Sequence, residues 1–204
     1  MEYSVRGIVW VLCGFLLSCS PGASGKNPPT ENAVEYRLLA VEDTGFAGRT
    51  RKSARIYAPE ATTVVARAET ALKAAVNLQQ RWDADAVGVF LEISPLLQGQ
   101  GYVYAIANYS PDGGGWSGNA PFRNRTWEAE ASGIVLSADD IKIGEMWYAR
   151  RAQFQVDDGF GGTQTDEKAV AASIANEMVV SVESVSLLPL VEIISSRKHY
   201  AGPK

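Results

Sequence analysis

The chain has 204 residues with a formal net charge of −4; 46% are hydrophobic and 21% charged. That length suits one domain, or a domain with an appendage, and can bury a core without disulfides or a metal. The composition excludes a disordered chain, and the mild acidic balance gives no basis for a nucleic-acid partner.

The N-terminus reads as a leader. Met1 to Arg6 ends in a positive charge, and an apolar run from Gly7 to Leu17 follows. A membrane-spanning helix needs about 20 apolar residues, so this run is too short and reads as the core of a signal peptide, residues 1–18. It ends in Leu16-Leu17-Ser18-Cys19, which resembles the lipobox of bacterial lipoproteins. The resemblance implies cleavage between Ser18 and Cys19, a thioether-linked diacylglycerol on Cys19, and acylation (palmitate) of the new amino group. More than one acyl chain gives stable anchoring. An ordinary secretory signal cleaved a few residues later, or an uncleaved anchor, is the alternative. Of the two cysteines, Cys13 falls in the leader and Cys19 carries the lipid, so the mature chain has no disulfide to form. Ser20 is not the aspartate typical of inner-membrane retention, so a lipid-anchored cell-membrane location becomes the outer membrane, facing the periplasm, in an organism with two. Residues 19–34 are rich in Ser, Gly, Pro and Asn and read as a flexible tether.

Two short strands come next, Tyr36–Glu42 and Ser53–Tyr57, joined by a glycine-containing loop. From Thr62, a helix N-cap candidate, Val64, Ala68, Ala71, Ala75, Leu78 and Trp82 recur at alternating spacings of four and three. That is an apolar stripe on one helix, built to pack on a sheet. Asp85–Ile93 is apolar on both faces, as in a strand inside a covered sheet. Tyr102–Tyr109 is a further strand closed by Ser110-Pro-Asp-Gly-Gly-Gly, completing a β-β-α-β-β unit over residues 35–117.

Three segments of this unit, Glu42-Asp-Thr-Gly-Phe-Ala-Gly-Arg, Asp85-Ala-Val-Gly-Val-Phe and Tyr109-Ser-Pro-Asp-Gly-Gly-Gly-Trp, resemble a bacterial family of small α/β domains of unknown function. The likeness runs from about Tyr36 to Trp116. It implies a fold boundary and no activity.

Residues 118–136 read as a connecting segment with an extended piece between Thr126 and Leu136. Over 137–195 the pattern is mainly helical. Ser137 with Asp140 makes a capping pattern, Asp157–Gly162 is a breaker, and Thr165 caps a helix carrying Ile174 and Met178. Val179-Val180 reads as a turn before a second helix from about Ser181, kinked or stopped at Pro189; the rival reading, from the β-branched residues, makes Val179–Ser186 a strand. Residues 196–204 form a basic tail. The fold class is therefore α+β, a small β-β-α-β-β layer followed by a mainly helical C-terminal part.

Catalytic signals are sparse. The single histidine, His199, lies in the basic tail, and the mature chain offers no nucleophilic cysteine and no His/Cys metal set. Acidic pairs at 42–43, 83/85, 139–140 and 157–158 sit at element ends and read as solvated turns. No catalytic residue, metal or cofactor is assigned. The function expected is a membrane-anchored binding module; the alternatives are a structural or assembly lipoprotein without a ligand pocket and a carboxylate-dependent hydrolase of envelope polymers. The segment best suited to recognition is the first hairpin loop. Arg49 and Arg51, with Arg55 on the following strand, present a cationic surface to an anionic envelope ligand or protein partner. The competing reading is a solvated hairpin in which Glu42 and Asp43 neutralise Arg49 and Arg51.

Overall fold

The structure is a computed structural model describing residues 27–46, 48–118 and 126–201. The leader, Ser18 and Cys19 lie outside the described residues. Strands β1 (Arg37–Asp43) and β2 (Arg51–Tyr57) form a hairpin, and α1 (Val64–Trp82) leads to β3 (Ala86–Glu92), which runs parallel to β2. Strand β4 (Val103–Tyr109) and β5 (Trp127–Ala131) continue the sheet antiparallel. Helix α2 (Ala138–Arg150), the small hairpin β6 (Gln155–Asp157) and β7 (Thr163–Thr165), α3 (Glu167–Met178) and α4 (Leu188–Ser195) precede a last strand, β8 (Lys198–Ala201). The main sheet has the order β1-β2-β3-β4-β5-β8. The fold is α+β: a sheet of several strands followed by helices.

Helix α1 starts at Thr63, one residue later than its sequence suggests, because Thr63 Oγ1 accepts from the Ala66 amide. The stripe Ala68, Ala71, Ala75 and Leu78 is buried, and the strands beneath it present Ala54, Val87, Val89, Ala105, Ala107 and Ala129. Alanine on both sides of the contact lets the helix backbone approach the sheet closely, and propensity and packing here favour the same state. Asp83 closes the helix in the left-handed region at φ 49°.

Strand alternation puts the other half of each strand on the opposite face. Register pairs Arg55 with Phe90, Phe90 with Ile106, Ile106 with Glu130, and Glu130 with His199. This face is half-open and polar, carrying Arg51, Ser53, Arg55, Asn108 and Glu128 around half-buried Phe90 and Ile106.

The C-terminal helices join the end of the same sheet. Ile93 and Leu97 after β3 pack with Leu136, Leu190 and Ile193, while α2 and α3 share Ile143, Val170 and Ile174. The segment expected to connect two regions contains β5, whose Trp127 and Ala129 are core residues. The expected basic tail contains β8, paired with β5. Asp166 rather than Thr165 caps α3. Val179 makes the expected turn, ending α3 at φ 56°, but neither the helix from Ser181 nor the rival strand follows: a single 3-10 turn spans Val182–Ser184. Pro189 starts α4 instead of stopping a helix, since the first turn has no use for its missing N–H.

Candidate functional site

The three segments that carry the family resemblance meet at one side chain. Arg49 donates from Nη1 to Asp112 Oδ2 at 2.7 Å, and from Nη2 to Asp112 Oδ1 at 2.9 Å and the Ser110 hydroxyl at 2.7 Å. The same Nη2 lies 3.2 Å from the Asp85 carbonyl and 3.0 Å from that of Gly115. The first hairpin loop, the start of β3 and the turn after β4 are thereby tied together. Bidentate pairing with a carboxylate is the strong form of this contact. It holds the Asp112 carboxyl well below the usual carboxylate range, with help from the Ser110 hydroxyl and the Gly114 amide, and raises Arg49. Gly118 allows this packing: its φ is +75° and a Cβ there would lie 2.9 Å from Arg49 Cδ.

Asp85 reinforces the junction by accepting from the Thr50 amide at 2.7 Å and its hydroxyl at 2.9 Å, which lowers its pKa. Asp43 pairs with Lys52 at 2.7 Å. Trp116, at the end of the turn, lies on the open sheet face over Gly88, where a Cβ would come within 3.1 Å of the indole.

Arg51 differs from its neighbours. Its guanidinium lies 5.9 Å from the Phe46 ring centroid and 5.7 Å from that of Trp116. It donates to the Trp116 and Phe46 carbonyls, both at 3.2 Å. Arg49 has Asp112, Lys52 has Asp43 and Arg55 has Glu92; among the described residues no carboxylate is paired with Arg51. Phe46 is 76% exposed beside it. A groove of about 610 Å³ opens here, lined by Phe46, Arg49, Arg51, Asp85, Ser117 and Gly118. On the other side of Trp116 a smaller pocket of about 210 Å³ is lined by Asn108, Trp116, Trp127 and Glu128.

The expected cationic trio is thus divided. Arg49 is occupied internally and works as a clamp, and Arg51 borders the groove. Arg55 sits further along the open face, 5.1 Å over Phe90 and 2.5 Å from Glu92. Neither Glu42 nor Asp43 neutralises Arg49 or Arg51; Glu42 reaches Arg55 at 4.0 Å and Asp43 serves Lys52. Glu92, not singled out from sequence, is buried, and burial raises its pKa against the opposing pull of Arg55. Asp112 was also missed as a partner; the signal was a lone acid in one glycine-rich turn set against the arginines of another.

The site can hold a planar or anionic group between an arginine fork and aromatic rings. Asp139 and Asp140 sit in the first turn of α2, where Asp140 completes a capping box with Ser137. Asp158 accepts from the Phe160 and Gly162 amides. His199 Nδ1 is 3.8 Å from Glu130 at the exposed edge. Among the described residues no three His, Cys, Asp or Glu side chains are grouped to hold a metal, and no single helix is long and apolar enough to cross a membrane.

A crystal structure described as a DUF487 family protein from Desulfovibrio piger ATCC 29098 is similar to this chain, with a TM-score of 0.64 and 27% identity over 84% of this chain and 97% of that one. No curated protein sequence matches it. A family model described as a domain of unknown function, DUF4875, matches residues 31–191. The match reaches well past Trp116, in keeping with the sheet's own continuation through β5 and the packing of α2 to α4 on its end. The chain belongs to the DUF4875 family.

Proposed function

We propose that the protein is a lipid-anchored cell-envelope lipoprotein whose folded domain is a binding module, taking an anionic ligand or partner at the Arg51 corner. The anchoring half rests on the apolar run from Gly7 to Leu17 followed by Leu16-Leu17-Ser18-Cys19. On this reading Cys19 carries the lipid, and residues 19–34 reach from the membrane surface to a domain whose first long-range contacts are Asn32 to Glu69 and Val34 to Thr70. The membrane is the outer one, facing the periplasm, where the organism has two.

The recognition half rests on one observation: Arg51 is the corner cation that no described carboxylate neutralises, and it borders a groove lined also by Phe46, Ser117 and Gly118. Overall charge is balanced here, so attraction comes from a directed guanidinium fork, with its remaining terminal N–H groups free of described acceptors. The exposed Phe46 ring favours an interaction surface over a hydrolytic cleft.

Replacing Cys19 by alanine tests the anchor: lipid labelling disappears and the uncleaved precursor accumulates. Normal labelling and maturation of that variant exclude the lipoprotein reading. Charge reversal at Arg51, read as retention on immobilised polyglutamate, tests the recognition half.

A further inference from the structure

A separate cavity, of about 180 Å³, lies at the carboxyl ends of β2 and β3, where the chain leaves Tyr57 for α1. Parallel strands joined through a helix leave a crevice there, because the connection turns away from the sheet. Residues 57–59 and 61–62, the end of β3, Tyr104, residues 135–136 and Ile141 line it.

Its polar feature is Arg67, which is 2% exposed. Nε donates to the Ala61 carbonyl at 2.9 Å, and Nη1 donates to those of Ser132 at 2.7 Å and Ile134 at 2.6 Å. Its guanidinium lies 3.7 Å from the Tyr104 ring centroid. A guanidinium has five N–H donors, and the two on Nη2 have no acceptor among the described residues. Nor does any described carboxylate pair with Arg67. Burial accordingly pulls its pKa down, with only Tyr104 opposing. A buried cation without a counter-charge is unfavourable unless an anion can reach it. The other charged group on the lining, Glu92, accepts from Arg55 and the Gly99 amide at Oε1, while its Oε2 is buried with no described partner.

The rest of the lining is mixed: the half-buried Tyr57 and the exposed Thr62 at the rim, with Ile93, Leu136 and Ile141 supplying apolar surface. We propose that this cavity binds a short-chain monocarboxylate, its carboxylate accepting from Nη2 of Arg67 and its alkyl tail packing on Ile93, Leu136 and Ile141. A cavity of about 150 Å³ can take up benzene, so a four- or five-carbon acid fits the space. A doubly charged, fully hydrated oxyanion would leave the apolar wall unused. The site is separate from the Arg51 corner and does not depend on it.

The test is calorimetric titration of the full-length protein in detergent with sodium butyrate, with the neutral isostere butyramide, and with inorganic phosphate. Butyrate is expected to bind about tenfold tighter than butyramide, the value of one charge-assisted hydrogen bond, and phosphate weaker than either. Thr62→Trp, a change at an exposed rim position, is expected to keep the melting temperature and lose butyrate binding. Arg51→Glu is expected to leave it unchanged. Absence of butyrate binding, equal binding of butyrate and butyramide, or tighter binding of phosphate overturns the assignment. So does undiminished butyrate binding by folded Thr62→Trp. The comparison of probes on the wild-type protein decides the matter even where that variant does not fold.

Discussion

Arg49 and Asp112 stand 63 positions apart in the chain and meet in a bidentate ion pair. Their contact joins the loop after β1 to the turn after β4, so neither loop is free to move without the other. Arg49 has a largely buried side chain, 14% exposed, while that of Asp112 is 50% exposed.

The pair fixes a pH dependence. Asp112 binds its proton more weakly in the folded state, so its contribution is fully present above the ordinary carboxylate range and is lost as pH falls through the folded value. Asp112→Asn is expected to lower stability at pH 7, with the difference from wild type shrinking as the pH is lowered below about 4. Denaturant melts of both proteins across pH 2–7 measure this; a difference independent of pH contradicts it.

Glu92 carries the opposite sign. Burial raises its pKa, so the folded state holds that proton more tightly, and its contribution diminishes as pH rises through the folded value. Carboxyl-resolved NMR titration is expected to show Glu92 titrating above the ordinary glutamate value. A value at or below it would mean that Arg55 outweighs burial.

Gly88 and Trp116 are coupled by shape. A side chain at Gly88 meets the indole, so Gly88→Ala is expected to cost about 1–3 kcal/mol by overpacking. Part of that cost is expected to vanish in a Trp116→Ala background, the rest staying with Asn108 Oδ1, 3.2 Å from the same Cβ. A double-mutant cycle with no interaction energy would separate the two residues.

Helix α1 supplies the core of the sheet layer. Leu78 is 4% exposed, and Leu78→Asp places an unpaired charge against the strands, costing about 3–5 kcal/mol. That is a large part of a domain's total stability, so thermal unfolding is expected to move sharply down. An unchanged melting temperature would put this face of α1 in solvent.

The parts legible in the sequence were those with a long period or a local signal. The alanine stripe of α1 repeats over five turns, and Ser137 and Asp140 lie within one turn of α2, so both are specified locally. Strand β8 was not legible because Lys198-His199-Tyr200-Ala201 is short, charged and at an edge, where pairing with β5 rather than its own pattern decides its state. The turn at Val179 is legible, but the stretch after it is not: its β-branched residues suggest a helix from Ser181 or a strand, whereas a single 3-10 turn precedes α4. At the candidate site, the loop and its cations were visible, but the division of labour among them was not. Which carboxylate each arginine meets depends on which loops the sheet brings to one corner. Arg49 is taken by a residue 63 positions away, and this leaves Arg51 as the loop cation that no described carboxylate pairs.

Retention of the full-length protein on immobilised polyglutamate tests directly the proposed contact of Arg51 with an anionic ligand or partner. Arg51→Glu is expected to abolish salt-sensitive retention while costing about 1–2 kcal/mol of stability, through two hydrogen bonds to carbonyls and the aromatic contacts. Far-UV circular dichroism checks that the fold persists. Reversing Arg49 is no substitute, since it breaks the clamp with Asp112 and disturbs both loops. Wild-type retention that falls with salt, and its loss in folded Arg51→Glu, is the predicted result; undiminished retention of the Arg51→Glu protein would contradict it.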